Sequence, residues 1–313
     1  MNVVFLGNFD VPYSTENDFA KTYEKLGHKV TKLQENRTTT SKILHACEKA
    51  DLFHYVHTHG WETPGLHSME YVLEHLNCYS ISVHLDYWRG LAREKDVGNH
   101  PFWKTDFVFT ADGGSNDWYR EQGINHYYSP AGVLEDSCYL GQQEDRFNFD
   151  VVFVGSKGYH PEWNYRPQLI NWLEDTYQER FERIAGDTRH GTIRGGELNN
   201  LYNSAKVVIG DTLCLNFSHP DYYSDRLFET VGRGGFLIFP YIKGIEKMFK
   251  LGEELITYEF GNFDQLKELV DYYLEHKEER DMIRFAGMER VQKEHTYSVR
   301  LKNILNIVMN GKN

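Results

Sequence analysis

The chain holds only 4 cysteines in 313 residues, Cys47, Cys78, Cys138 and Cys214. They lie far apart and form no CxxC pair, which excludes a zinc ribbon and a disulfide scaffold and points to a reducing compartment, the cytoplasm. No apolar run approaches the roughly 20 residues that cross a bilayer, so no transmembrane helix is expected. The opening Met1–Phe9 is apolar but short and has no basic flank; it reads as a first strand, not as a signal peptide. Basic residues are also scarce: 34 Lys and Arg against 46 Asp and Glu give a net charge of −12. That balance argues against a phosphate backbone as the default partner, although a local basic cleft fits inside an acidic total. Three signatures are missing as well. The first strand leads into no G-x-G-x-x-G, which disfavours dinucleotide binding; no P-loop follows a strand; and no G-x-S-x-G elbow suggests an α/β-hydrolase.

What is present is an ordinary globular composition, 40% hydrophobic and 26% charged, in a chain long enough for two cores. Short runs rich in Val, Ile, Phe and Tyr alternate with segments of helical period. Strands are expected at Asn2–Leu6, Lys29–Leu33, Asp51–Val56, Tyr79–His84, Asp106–Thr110 and His126–Tyr128, with helices at Ser14–Leu26, Ile43–Lys49 and Ser68–Leu76. After Gly132–Asn148, a polar stretch without period that reads as a linker, the alternation resumes. Strands are expected at Phe149–Val154, Phe181–Ile184, Lys206–Ile209, Phe236–Phe239 and Leu255–Tyr258. Helices follow at Gln168–Tyr177, Glu197–Ser204 and Arg226–Arg233, and three more close the chain, the last at Ser298–Met309. This order predicts an α/β protein with two doubly wound Rossmann-like domains, 1–145 and 149–297, facing each other across a cleft. The terminal helix, 298–313, is expected to pack back on the first domain.

Ser218–Pro240, SHPDYYSDRLFETVGRGGFLIFP, is the most informative stretch. Tyr222 and Tyr223 lead into Ser224, an N-cap residue, so backbone amides open a helix with Arg226 in its first turn. Free N–H groups, the helix dipole and a guanidinium together suit a diphosphate. Glu229 falls one turn deeper on roughly the same face, where a carboxylate accepts hydrogen bonds from two ribose hydroxyls. An i,i+3 surface pair of Arg226 with Glu229 explains the same spacing.

These residues, with DVVFVGSK at 150–157, RGGELNNLYNSAKVVIGD at 194–211 and HTYSVRL at 295–301, resemble the GT-B nucleotide-sugar glycosyltransferases, and particularly the "family 1" group that includes CgeB-like and many phage-encoded members. The resemblance is strongest over about 150–305. It implies a glycosyltransferase, metal-independent and without a resident cofactor, that uses a nucleotide-sugar donor, UDP-linked by expectation, as co-substrate. The donor would bind the C-terminal domain and a hydroxyl acceptor the N-terminal one. A cell-surface glycan or protein, or DNA with a modified base, would serve as acceptor; Arg89, Arg93 and Lys95 offer phosphate contacts for the latter. A phage origin would place the protein in the host cytoplasm. Related retaining enzymes carry E-x7-E, whose second acid holds the ribose; Glu229 matches it, and Asp221 stands where the first Glu would be. By the same resemblance Gly155, Ser156 and Lys157 form the turn against the pyrophosphate, with Arg166 as a second cation. Tyr202 is placed beside the nucleobase, although helix packing accounts for it equally.

The first half carries ten of the fifteen histidines. SISVHLD delivers His84 to a strand end with Asp86 two residues on, and TADGG places Asp112 at the next. Strand-end histidines in the related enzymes approach the donor sugar, so His84, Asp86 and Asp112 are the catalytic candidates, with Asp86 orienting His84 or acting as base and Asp112 as the other base. A hydrogen-bonded rim histidine and a plain DGG turn are the alternatives. Two other functions compete: a zinc or iron hydrolase built on His57, His59, His84 and Asp86, and a nucleotide-sugar binder without turnover.

Overall fold

Strand β1 (Asn2–Gly7) is buried on both faces beyond its first residue, as a central strand of a parallel sheet must be. Helix α1 (Thr15–Lys25) begins at Ser14, whose hydroxyl accepts the Asn17 amide, and turns Phe19, Ala20 and Tyr23 inward. The chain returns as β2 (Lys29–Gln34), whose mixed burial marks an edge. Then follow α2 (Thr40–Cys47), β3 (Leu52–Tyr55), α3 (Leu66–Glu74), β4 (Tyr79–His84), β5 (Phe107–Thr110), α4 (Asn116–Glu121) and β6 (His126–Tyr128). The sheet order is β2-β1-β3-β4-β5-β6, with every pair parallel. In this computed structural model the described residues are 1–58, 61, 64–158, 163–212 and 220–311.

The second sheet repeats the winding. β7 (Val151–Val154), α5 (Tyr165–Tyr177), β8 (Phe181–Ile184), α6 (Gly196–Ser204), β9 (Val207–Ile209), α7 (Asp225–Gly232), β10 (Leu237–Pro240) and β11 (Ile256–Tyr258) give the order β11-β10-β9-β7-β8. Helices α8 (Phe263–Glu275) and α9 (Lys277–Glu294) follow, and α9 packs on α7. Both sheets therefore have a switch point between their first and third strands, at β1/β3 and β7/β9. The carboxyl edge there is where an open α/β sheet holds a ligand.

The chain folds into two compact units, 1–130 with 297–313, and 131–296. The final helix, α10 (Tyr297–Asn310), thus belongs to the first unit: Leu301, Ile304 and Val308 form its buried stripe, and Tyr297 meets Phe19 of α1 at a ring distance of 4.7 Å.

The stretch Gly132–Asn148 is not a free linker. It lies in the second unit as a strap fastened to α6, whose asparagines supply what its irregular backbone lacks. Asn199 Nδ2 donates to the carbonyls of Ser137 and Tyr139, Asn203 Nδ2 to that of Gly141, and Asn200 Oδ1 accepts from the Gln142 amide. Helix α4 is a further departure from the sequence reading, which assigns no element to Asn116–Glu121; Tyr119 buries it against the first core.

Leu301 is fully buried. Leu301→Ala is expected to cost about 3 kcal/mol through lost transfer energy and the cavity left behind, read as a lower urea midpoint of the full chain.

Candidate functional site

At the β7/β9 switch the chain leaves β7 through Gly155, which has φ +152°. A β-carbon there would lie 3.1 Å from Arg226 Nη1 and 3.2 Å from the Phe153 ring, so glycine is what lets the guanidinium settle on the turn. Arg226 comes from the first turn of α7 and is half-buried. Ser224 occupies the N-cap position with extended backbone (φ −63°, ψ 152°), yet its hydroxyl donates to the Asp211 carbonyl instead of accepting from the helix. The first-turn amides of α7 are thus left without a side-chain cap among the described residues, beside a cation, which suits an anion.

A buried ion pair fixes this arrangement. Arg166 Nε donates to Asp211 Oδ2 at 2.8 Å, and Trp163 Nε1 donates to the same oxygen at 3.1 Å. Both partners of the ion pair are buried, and burial pushes the Asp211 carboxyl above its ordinary range against the pull of Arg166. Through the Asp211 carbonyl and the Thr212 hydroxyl, which accepts from the Ser224 amide at 3.2 Å, the pair sets where α7 begins. Arg166 is therefore a brace under the turn.

The remaining candidates of this unit fall into two groups. Glu229 lies one turn beyond Arg226 and is partly exposed, but its ion-pair partner is Arg233, at 3.3 Å, and not Arg226. Tyr202 is enclosed: its phenol accepts from Thr230 Oγ1 at 3.3 Å, and burial, aided by Glu229, pushes its pKa up to about 12. It packs beneath the acid, with no open face for a base. Lys157 pairs with Glu174 of α5 at 2.7 Å, while Ser156 is exposed. Tyr222 and Tyr223 are buried, and the Tyr223 hydroxyl donates to Asp221. Asp221 takes φ +64° and accepts from Lys247 Nζ at 3.0 and 3.1 Å, beside Gly244 (φ +100°), where any side chain would strike the carboxylate. Asp211 and Arg233 escaped the sequence reading; the only signal for either was an acid ending VVIGD and a base within VGRGG.

The first unit presents a different edge. His84 closes β4, is buried against Phe102 at 4.0 Å, and leaves its Nε2 without a hydrogen-bond partner among the described residues. Burial first, then the neighbouring His57, His100 and His54 and Arg93, lower its pKa to about 3, so it is neutral at pH 7. Asp86 does not orient it: that carboxylate is exposed and lies 3.8 Å from Arg93. Asp112 is a brace. It accepts from the amides of Trp88 and Arg89 and from the Tyr119 hydroxyl, and desolvation raises its pKa to about 6. A carboxylate so engaged serves poorly as a base. Arg93 turns inward to the Tyr87 carbonyl and Arg89 reaches Ser115, so two of the three cations considered for a phosphate backbone are engaged locally.

The residues that gather at the β1/β3 edge include two that sequence reasoning passed over, Glu35 and His100. Buried Glu35 accepts from His57 Nδ1 at 2.5 Å and from the Thr58 amide at 2.8 Å, and the His57 ring stacks on His100 at 3.9 Å. A contact across 22 residues between a strand end and a short helix has no sequence signature. His54 is a core residue inside β3, stacked on Phe5. His59 and Cys214 lie outside the described residues. Among the described residues no three His, Cys, Asp or Glu side chains are grouped to hold a metal ion, so the hydrolase reading finds no support, and no helix is long and apolar enough to cross a membrane.

A family model described as glycosyl transferase-like matches residues 140–306. No curated protein matches. Among solved structures, Alr3699/HepE of Anabaena in complex with UDP and glucose aligns with a TM-score of 0.66 at 12% identity, over 99% of this chain and 100% of its own. An alpha-glucosyltransferase in complex with UDP and a 13-mer DNA containing an HMU base aligns with a TM-score of 0.73 at 10% identity, over 99% of both chains. A glycosyltransferase from Rickettsia africae ESF-5 aligns at 0.63 and 12%, over 99% of this chain and 98% of its own. At such identities the likeness establishes the fold, the α/β architecture named GT-B.

His54, His84, His100 and His126 all have their pKa lowered to about 3, chiefly by burial. In the unfolded chain they titrate near 6.5. Their contribution is complete above that value and is lost as pH falls toward 3, because the unfolded state takes up protons that the folded state refuses. Stability is therefore expected to fall between pH 7 and pH 5, offset in part by the raised carboxyl of Asp112, which takes up its proton first in the folded chain. Urea midpoints at pH 7 and pH 5 measure the loss, and His126→Asn should remove part of it.

Proposed function

The chain belongs to the glycosyl transferase-like family, and on that premise we propose that it moves a sugar from a uridine diphosphate sugar, held by the second unit, to an acceptor hydroxyl. The observation that carries this reading is Arg226 seated on Gly155 at the β7/β9 switch, with Glu229 one turn farther along α7. Transfer breaks the bond between the anomeric carbon and the β-phosphate oxygen, and negative charge grows on the departing diphosphate. Arg226 and the uncapped amides of α7 meet that charge without a divalent ion. Glu229 accepts hydrogen bonds from the ribose hydroxyls. Lys157 joins the phosphates only by leaving Glu174.

The acceptor belongs to the first unit. There His84 closes β4, and the acceptor's proton passes to Asp86, the exposed carboxylate at that edge. Solved structures of the same fold that contain UDP or UDP-glucose support a uridine-linked donor, and one that contains HMU DNA makes such DNA the first acceptor to try.

The test is release of UDP from UDP-glucose by the purified chain, with and without HMU DNA, alongside calorimetric titration with UDP. Arg226→Ala is expected to weaken UDP binding by about 2 kcal/mol, roughly 30-fold, as loss of a charged hydrogen bond does. A Glu229→Ala protein that binds UDP as tightly as the parent overturns the ribose assignment.

A further inference from the structure

Arg233 sits at the C-terminal end of α7 with its side chain only 7% exposed, whereas that of Glu229 is 28% exposed. Its Nη1 donates to Asn199 Oδ1 at 2.6 Å and to the Gly195 carbonyl at 3.1 Å, tying the end of α7 to the start of α6. Its Nε lies 3.3 Å from Glu229 Oε1 but makes no aligned hydrogen bond. The contact is therefore one of charge, and it leaves the lone pairs of Glu229 available to other donors. Asn199 is itself tied down, its amide nitrogen donating to the carbonyls of Ser137 and Tyr139. The guanidinium is thus held by groups fixed in a hydrogen-bond network, and it lies against an acid that is partly open to solvent.

We propose that Arg233 is a positioning residue that holds the Glu229 carboxylate where it accepts from both ribose hydroxyls, and so sets the preference of this site for ribonucleotide over 2′-deoxyribonucleotide donors. The inference rests on the assignment of Glu229 to the ribose. A carboxylate free to rotate into water adapts to a single hydroxyl as readily as to two. A carboxylate pinned from behind presents both oxygens in one geometry, and a ligand lacking the 2′-hydroxyl forfeits one charge-assisted bond. Tyr202, hydrogen-bonded by Thr230, lies near enough to feel the charge of the same acid.

The test is calorimetric titration of the intact chain with UDP and with 2′-deoxy-UDP. The parent is expected to prefer UDP about tenfold or more, the scale of one hydrogen bond to a charged group. Glu229→Gln should bring the ratio near unity. Arg233→Met should lower it severalfold toward that limit, and Arg233→Lys should restore most of it. Should Arg233→Met fail to fold, Asn199→Ser, which removes the anchor and keeps the guanidinium, is expected to lower the ratio part of the way. If Arg233→Met or Asn199→Ser weakens both nucleotides equally and leaves the ratio intact, Arg233 is merely structural and the inference falls. If Glu229→Gln itself leaves the ratio unchanged, the ribose assignment fails instead.

Discussion

The buried pair of Arg166 with Asp211 is the constraint on which the second unit's carboxyl edge depends. Taking two charges out of water is expensive, and their mutual attraction recovers that cost only when the geometry is good and the leftover donors and acceptors are engaged. Here Asp211 Oδ2 also takes the Trp163 indole and the backbone carbonyl takes the Ser224 hydroxyl, while the buried Oδ1 has no hydrogen-bond partner among the described residues. One acid therefore sets the start of α5, the exit of β9 and the entry of α7 at once. Because Ser224 is spent in this way, its side chain does not cap its own helix, and the first-turn amides beside Arg226 have no side-chain cap among the described residues. The polarity of the edge follows from a deficit that the fold leaves in place.

The two units share a winding and differ in charge. At the second switch point a guanidinium lies on a glycine turn. At the first, Glu16 feels the charge of Glu35, and desolvation chiefly raises the Glu16 carboxyl above its ordinary range. The histidines around them are buried and stacked instead of solvated. An edge of acids and neutral imidazoles accepts hydrogen bonds from hydroxyls and repels phosphates, whereas the other attracts phosphates. The same strand order thus carries two edges of opposite polarity, with side chains at a few strand ends making the difference.

The strands were legible because parallel strands buried on both faces read as unbroken apolar runs: NVVFL, VVFV and FLIFP could be little else. The placement of Arg226 and Glu229 on one helix was legible for the same reason, since spacing along α7 is a local property. What could not be read is what each polar group does with its neighbours. Lys157, Asp112 and Arg166 look like free reagents in the sequence, and each is engaged by a partner 17, 24 or 45 residues away. The strap at 132–148 was opaque for a related reason, as its order comes from asparagines of a helix some 60 residues on and not from any period of its own. Glu35 and His100 lacked even a suggestive neighbour.

The first unit is interrupted by the whole of the second, since its last helix is α10. On a ribosome the sheet of six strands emerges early, but the groove over α1 that Tyr297 and Leu301 fill stays empty until the final turns are made. The second unit, contiguous in the chain, is complete before that moment. Vectorial synthesis therefore reverses the usual order, so that the lobe begun first is sealed after the second, and termination before α10 spares the second unit while leaving the first unsealed.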